Sequence, residues 1–187
     1  TARRPVAVLL PGVWESWEVL TTWGRALAAV GFDVRFVPEL DLLLGSLEEL
    51  QQDFSASLEL NELEDVLVVA HSKGGLVAKK TMTAPQGWRI RKLISCGTPY
   101  QGAPLAALSP KALRMRDLQP QNNEIKELAA RTDVNPRIVA IQASWDQNVP
   151  WMDSLPGGKV ATVKARGHHS LLRDPAVLAV IVRAALR

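Results

Sequence analysis

The chain has one cysteine among its 187 residues, Cys96, so no internal disulfide can staple it. It has no apolar run approaching the ~20 residues that cross a bilayer, and no integral membrane segment is expected. No cluster of Cys, His, Asp or Glu has metal-ligand spacing. No strand candidate leads into a G-x-G-x-x-G phosphate loop, and Gly74-Gly75 alone is a poor substitute. The expectation is a protein with neither metal nor cofactor. An excess of one charge is also missing: 22 Lys and Arg against 19 Asp and Glu give +3. A nucleic-acid binder concentrates basic charge on one face. The densest basic stretch here, Arg89, Arg91 and Lys92 beside Trp88, reads as the solvated start of a strand, so no nucleic-acid partner is expected. The N-terminus lacks an apolar segment of about 7–15 residues before a small-residue cleavage site. The default location is cytoplasmic. Secretion is left open because the chain begins at Thr1 rather than Met, and oligomeric state is not legible.

What is present is ordinary globular material, 47% hydrophobic and 22% charged. The length suits one domain over 1–187, and there are no repeats and no linker. Short apolar runs at 6–10, 34–37, 66–70, 92–96, 138–142 and 160–163 read as strands. The first and third are almost wholly apolar, as in strands buried on both faces of a parallel sheet. Helical patterns fill the gaps. Residues 18–30 carry Val19, Trp23, Leu27 and Val30 on one stripe and stop at Gly31. Ser46-Leu47-Glu48-Glu49 is a capping box ahead of Leu50, Phe54 and Leu58. Further helices are expected over 72–82, over 124–131 with Asn123 as cap, and after Asp174-Pro175. The predicted fold is α/β: a mostly parallel sheet of about six strands, helices on both faces, no large cap domain. The longest irregular stretch, 97–121, contains Pro99, Pro104, Pro110 and Pro120 and reads as a functional loop or a small excursion.

In a parallel sheet every strand ends at the same edge, and ligands bind there. The residues following each strand therefore share one neighbourhood. They are Pro11-Gly12-Val13-Trp14, His71-Ser72-Lys73-Gly74-Gly75, Gly97-Thr98-Pro99, Trp145-Asp146-Gln147-Asn148-Val149-Pro150 and Gly167-His168-His169. A serine, an aspartate and a histidine converge from three strands. Ala70-His71-Ser72-Lys73-Gly74 is a relaxed nucleophile elbow, with small residues two before and two after Ser72 where strand and helix pass closely. A serine hydroxyl needs a base, and the base needs a carboxylate to fix its tautomer. Of the three histidines, His71 adjoins Ser72 and should point elsewhere; His168 is favoured as base over His169, and Asp146 as its partner over Asp153. A tetrahedral intermediate needs two backbone N–H donors. Lys73 follows the nucleophile, and Val13, with Trp14 close behind, lies in the loop after the first strand.

Taken together, these motifs resemble the minimal, lidless bacterial lipases and their relatives among the α/β-hydrolases. The resemblance rests on Pro11-Gly12-Val13, Val68 to Gly75, Gly97-Thr98-Pro99-Tyr100-Gln101-Gly102-Ala103-Pro104, Asp146 to Pro150 and Gly167 to Leu172, in the family's order. It implies a six-stranded parallel sheet, carboxylester or triacylglycerol hydrolysis, and no cofactor. Two positions depart from the pattern. Pro11-Gly12 stands where the family has His-Gly, and proline brings a rigid φ and no N–H. Lys73 stands where Met, Gln or Leu is common, and its side chain is expected to point to solvent. Four apolar side chains, Trp14, Trp17, Trp151 and Met152, are candidates for an acyl-binding wall. The expected partner is a small-molecule acyl ester. A thioesterase or acyltransferase would use the same residues, and a non-catalytic binding protein is the rival of a different class.

Overall fold

A computed structural model describes residues 4–108, 115–149 and 155–187. Six strands form one sheet in the order β2-β1-β3-β4-β5-β6, with every neighbouring pair parallel. They are β1 (Val6–Leu10), β2 (Asp33–Phe36), β3 (Val66–His71), β4 (Ile90–Cys96), β5 (Ile138–Trp145) and β6 (Lys159–Arg166). β1 and β3 are buried at every position, as their apolar sequences require, and β3 ends in one buried polar residue, His71. Alternation divides their side chains between two cores. Val6, Val8, Leu10, Val66, Val68 and Ala70 join one, while Ala7, Leu9, Leu67 and Val69 join the other. The first core lies under α2 (Leu47–Leu60), α3 (Lys73–Thr83) and α4 (Asn123–Ala130). The second lies under α1 (Thr21–Ala29) and α5 (Pro175–Ala185).

The chain moves outward from β1 to β2 and then returns to the far side of β1 as β3. This reversal is a topological switch point, and open α/β sheets bind their ligands at such a point, beyond the ends of the strands. The segments 11–15 and 71–75 meet there.

Several expectations need correction. The helix expected over 18–30 is split. A 3-10 turn at Trp17–Leu20, with Ser16 as its cap, precedes α1. That tighter turn shifts the phase of the stripe, so Trp23 and Leu27 are buried while Val19 and Val30 are exposed. Asn122, not Asn123, caps α4, accepting from Glu124 N (2.8 Å). β5 and β6 run several residues beyond their apolar cores. The capping box at Ser46 and Glu49 is present, and Asp174 caps α5. In the basic stretch, Arg89 donates to Leu63 O and Lys92 to Ala184 O. No helix among the described residues is long and apolar enough to cross a membrane.

Candidate active site

β3 passes into α3 through Ser72, whose φ of 51° and ψ of −123° lie in a region that ordinary side chains avoid. Hydrogen bonds hold it there. Ser72 N donates to Cys96 O (2.8 Å), and the Thr98 hydroxyl donates to Ser72 O (2.9 Å). The conformation lifts the side chain above the end of the sheet while α3 turns beneath it. Strand and helix come so close that a Cβ on Gly74 would collide with the carbonyl oxygens of Leu10 and Pro11. Gly74→Ala should therefore destabilise the fold by roughly 1–3 kcal/mol, the usual range for overpacking. At about 2–4 °C per kcal/mol for a chain of this size, calorimetry would register the change in Tm. An unchanged Tm would mean that the contact relaxes freely.

Opposite Ser72 stands His168, buried at the start of a 3-10 turn (His168–Leu172) after β6. Its Nε2 lies 2.8 Å from Ser72 Oγ, and its Nδ1 lies 2.7 Å from Asp146 Oδ2. A carboxylate can only accept, so Nδ1 carries a proton and Nε2 of the neutral ring faces the serine hydroxyl as acceptor. Asp146 follows β5. Its Oδ1 accepts from the N–H groups of Asn148 (2.8 Å) and Val149 (3.1 Å). Burial works to raise its pKa. The hydrogen bond and charge of His168, helped by the two backbone donors, outweigh burial and hold the carboxyl below its ordinary range. Gln147 Oε1 accepts from His168 N (3.2 Å) and fixes the turn. On the ring's other side lies Gly97, φ 61°, where a Cβ would sit 3.2 Å from His168 Cε1.

In the loop after β1, Gly12 N–H donates to Glu15 Oε2 (2.7 Å) and Trp14 N–H to Leu42 O (2.8 Å). Val13 is the residue between them whose N–H is not taken up by these bonds. Lys73 is the first residue of α3, where backbone N–H groups have no partner within the helix. The expectation that the Lys73 side chain points to solvent is wrong. It is fully buried and donates from Nζ to Gly45 O (2.7 Å) and Asp117 Oδ2 (3.0 Å). The ammonium is thereby matched by a carboxylate and a carbonyl, which is what its burial requires. It ties the elbow to the segment before α2 and to the stretch after β4.

Trp14 is 47% exposed. Trp17, by contrast, packs on Phe36 of the edge strand, with ring centroids 4.9 Å apart. Trp151 and Met152, and the alternative carboxylate Asp153, lie outside the described residues. His169 is exposed and makes no contact with Ser72 among the hydrogen bonds described. Cys96 is fully buried, and burial pushes its thiol pKa far up, away from thiolate chemistry. Sequence reading missed Glu15. Its carboxylate is 7% exposed and reaches His71 Nδ1 (2.8 Å), Gly12 N–H and, at 3.5 Å, His169 Nε2. Burial opposes its charge; the His71 hydrogen bond and charge, with Gly12 and His169, prevail and lower its pKa. The available signal was an acid placed three residues after Gly12 at a ligand-binding sheet edge.

A parallel sheet with a serine on a strained strand-to-helix elbow at its switch point is the architecture of the α/β-hydrolase superfamily. The model of the PGAP1-like alpha/beta domain family matches residues 39–141, more than half of the chain, and the chain belongs to that family. A comparison with curated proteins found no match. Among solved structures, the mature lipase BlEst2 of Bacillus licheniformis superposes with a TM-score of 0.72 at 16% identity, over 98% of this chain and 92% of that one. Rv0554 from Mycobacterium tuberculosis gives 0.73 at 15% identity, over 100% and 91%. The monoacylglycerol lipase of Paleococcus ferrophilus gives 0.66 at 13%, over 97% and 96%. At these identities the likeness is one of fold.

Proposed function

We propose that the protein is a serine hydrolase that cleaves carboxylic acyl esters through an acyl-enzyme, with Ser72 as nucleophile, His168 as general base and Asp146 as its orienting carboxylate. The observation that carries this reading is the unbroken line of short hydrogen bonds from Ser72 Oγ through His168 to Asp146, contributed by loops after three different strands. Ser72 Oγ attacks the ester carbonyl as its proton passes to His168 Nε2, and the carbonyl π pair moves onto oxygen. Lys73 N–H and Val13 N–H are the donors assigned to that oxyanion. Asp146 stabilises the imidazolium. When the carbonyl re-forms, the C–O bond to the alcohol breaks and His168 returns its proton to the leaving oxygen. A water molecule then repeats the cycle on the acyl-enzyme, its proton going to His168 and from there to Ser72. Apolar side chains exposed at the end of β5 (Trp145) and in the segments after β1 and β4 (Trp14 and Leu105) favour an apolar acyl group over a charged one.

The test is covalent labelling with a fluorophosphonate probe, with the adduct mapped by mass spectrometry, followed by a p-nitrophenyl ester chain-length series. The expected adduct is on Ser72, and the expected chain-length optimum is an acyl group longer than acetyl. Folded protein that neither labels nor hydrolyses any member of the series would refute the reading.

A further inference from the structure

A second pair of buried side chains, Glu15 and His71, joins the segment after β1 to the elbow after β3 and the turn after β6. Glu15 belongs to the segment after β1, which carries Val13. His71 is the last residue of β3 and precedes Ser72. The His71 ring has no exposed surface. Its Nδ1 lies 2.8 Å from the Glu15 carboxylate and its Nε2 3.4 Å from the carbonyl oxygen of His168, in the turn after β6; both partners are acceptors, so a ring nitrogen that bonds either of them does so as an N–H donor. The rings of His71 and His168 have centroids 4.8 Å apart. Glu15 also accepts from Gly12 N–H, and Gly12 lies so close to Ser72 that a Cβ there would sit 3.0 Å from the Ser72 Cβ. A buried carboxylate is costly, and apolar side chains of similar size would fill this space at no such cost. What they would lack is direction. A carboxylate with two oxygens and an imidazole with two nitrogens specify where each neighbouring backbone stands.

We propose that Glu15 and His71 are positioning residues that set the spacing between the loop of Val13, the elbow of Ser72 and the turn of His168. The proposal rests on the hydrolase reading for its kinetic consequence, but not for its geometric one. The hydrogen bonds of both side chains go to one another and to backbone groups, not to Ser72 Oγ or the His168 ring nitrogens. Their effect is to hold His168 Nε2 and the Val13 N–H at fixed distances from Ser72 Oγ, and displacements of about 1 Å in such constellations can reduce rates by about 100-fold.

The experiment uses Glu15→Gln, which keeps the shape and an acceptor for Gly12 N–H but removes the charge, and His71→Gln, which keeps a donor toward Glu15 but removes the ring beside His168. Each is measured on the best p-nitrophenyl ester and by proton NMR of the low-field His168 Nδ1–H resonance. The expected result is a kcat lower by roughly 10- to 100-fold with KM within about twofold, and a displaced or broadened resonance. If the wild type hydrolyses esters and both variants keep its kcat, the positioning role is overturned while the hydrolase reading stands. If the wild type has no esterase activity, the hydrolase reading fails and the resonance alone decides: a shift supports positioning, an unchanged resonance overturns it. Should Glu15→Gln fail to fold, His71→Gln decides by the same two readouts.

Discussion

Ser72→Ala should lower kcat for an ester substrate by about a million-fold, as removal of the nucleophile does where serine and histidine act as one unit. The fold should survive. The substitution removes one hydroxyl and its hydrogen bond to His168, a change of about 1 kcal/mol. The strained backbone at φ 51° is held by Cys96 O and Thr98 Oγ1, neither of which uses the Ser72 side chain. Alanine therefore inherits the same elbow, and the Lys73 and Val13 N–H groups proposed as oxyanion donors keep their places. Residual turnover over water, of order 10³–10⁴, is expected from those donors and from substrate binding alone. The measurement is steady-state hydrolysis at matched protein concentration, with circular dichroism and Tm as folding controls. Activity within tenfold of wild type in a folded variant would remove Ser72 from the mechanism.

How much of this was legible in the sequence depends on the range of the interaction. The strands β1 and β3 announce themselves because burial on both faces leaves no polar position in β1 and, in β3, only His71 at its end. Once the sheet is known to be parallel, its strands end at one edge, and the convergence of Ser72, Asp146 and His168 follows from topology without any distance. Phase and side-chain direction were less accessible. Ser16 starts a 3-10 turn before α1, and a periodicity count at 3.6 residues per turn cannot see the resulting phase shift. Lys73 read as solvent-facing because its partners, Gly45 and Asp117, are 28 and 44 residues away in sequence. Glu15 could be placed at the sheet edge by its position after Gly12, but its role could not be read, because its partner His71 is 56 residues away. An isolated charge in a loop reads as solvated unless a distant partner is known, and a single sequence does not reveal such pairs. The same limit applies to Trp17, whose place against Phe36 is a matter of how β2 lies at the sheet edge.

Asp146→Asn separates orientation from chemistry more cleanly than any other change at this site. In the wild type, Oδ1 holds the Asn148 and Val149 N–H groups while Oδ2 accepts from His168 Nδ1–H. An asparagine that keeps its oxygen on the two backbone donors turns its NH₂ toward His168. Nδ1 must then accept, the ring proton moves to Nε2, and the base faces Ser72 with a donor where an acceptor is needed. The expected loss in kcat is about 10⁴-fold, with the heavy atoms in place and KM little changed. Stability should respond with a defined sign. The Asp146 pKa is depressed in the folded protein, so its ionised form stabilises the fold fully above the unfolded value of 3.8, and that contribution fades as pH falls through the lower folded value. The Tm gap between wild type and Asp146→Asn should thus be widest near neutral pH and narrow below about pH 4, where the wild-type carboxylate of the unfolded chain also protonates. A gap that stays constant down to pH 2–3 would show that the carboxylate is not ionised against His168. The hydrogen bond between them would then have to be reassigned, and with it the tautomer on which the proposed proton transfer depends.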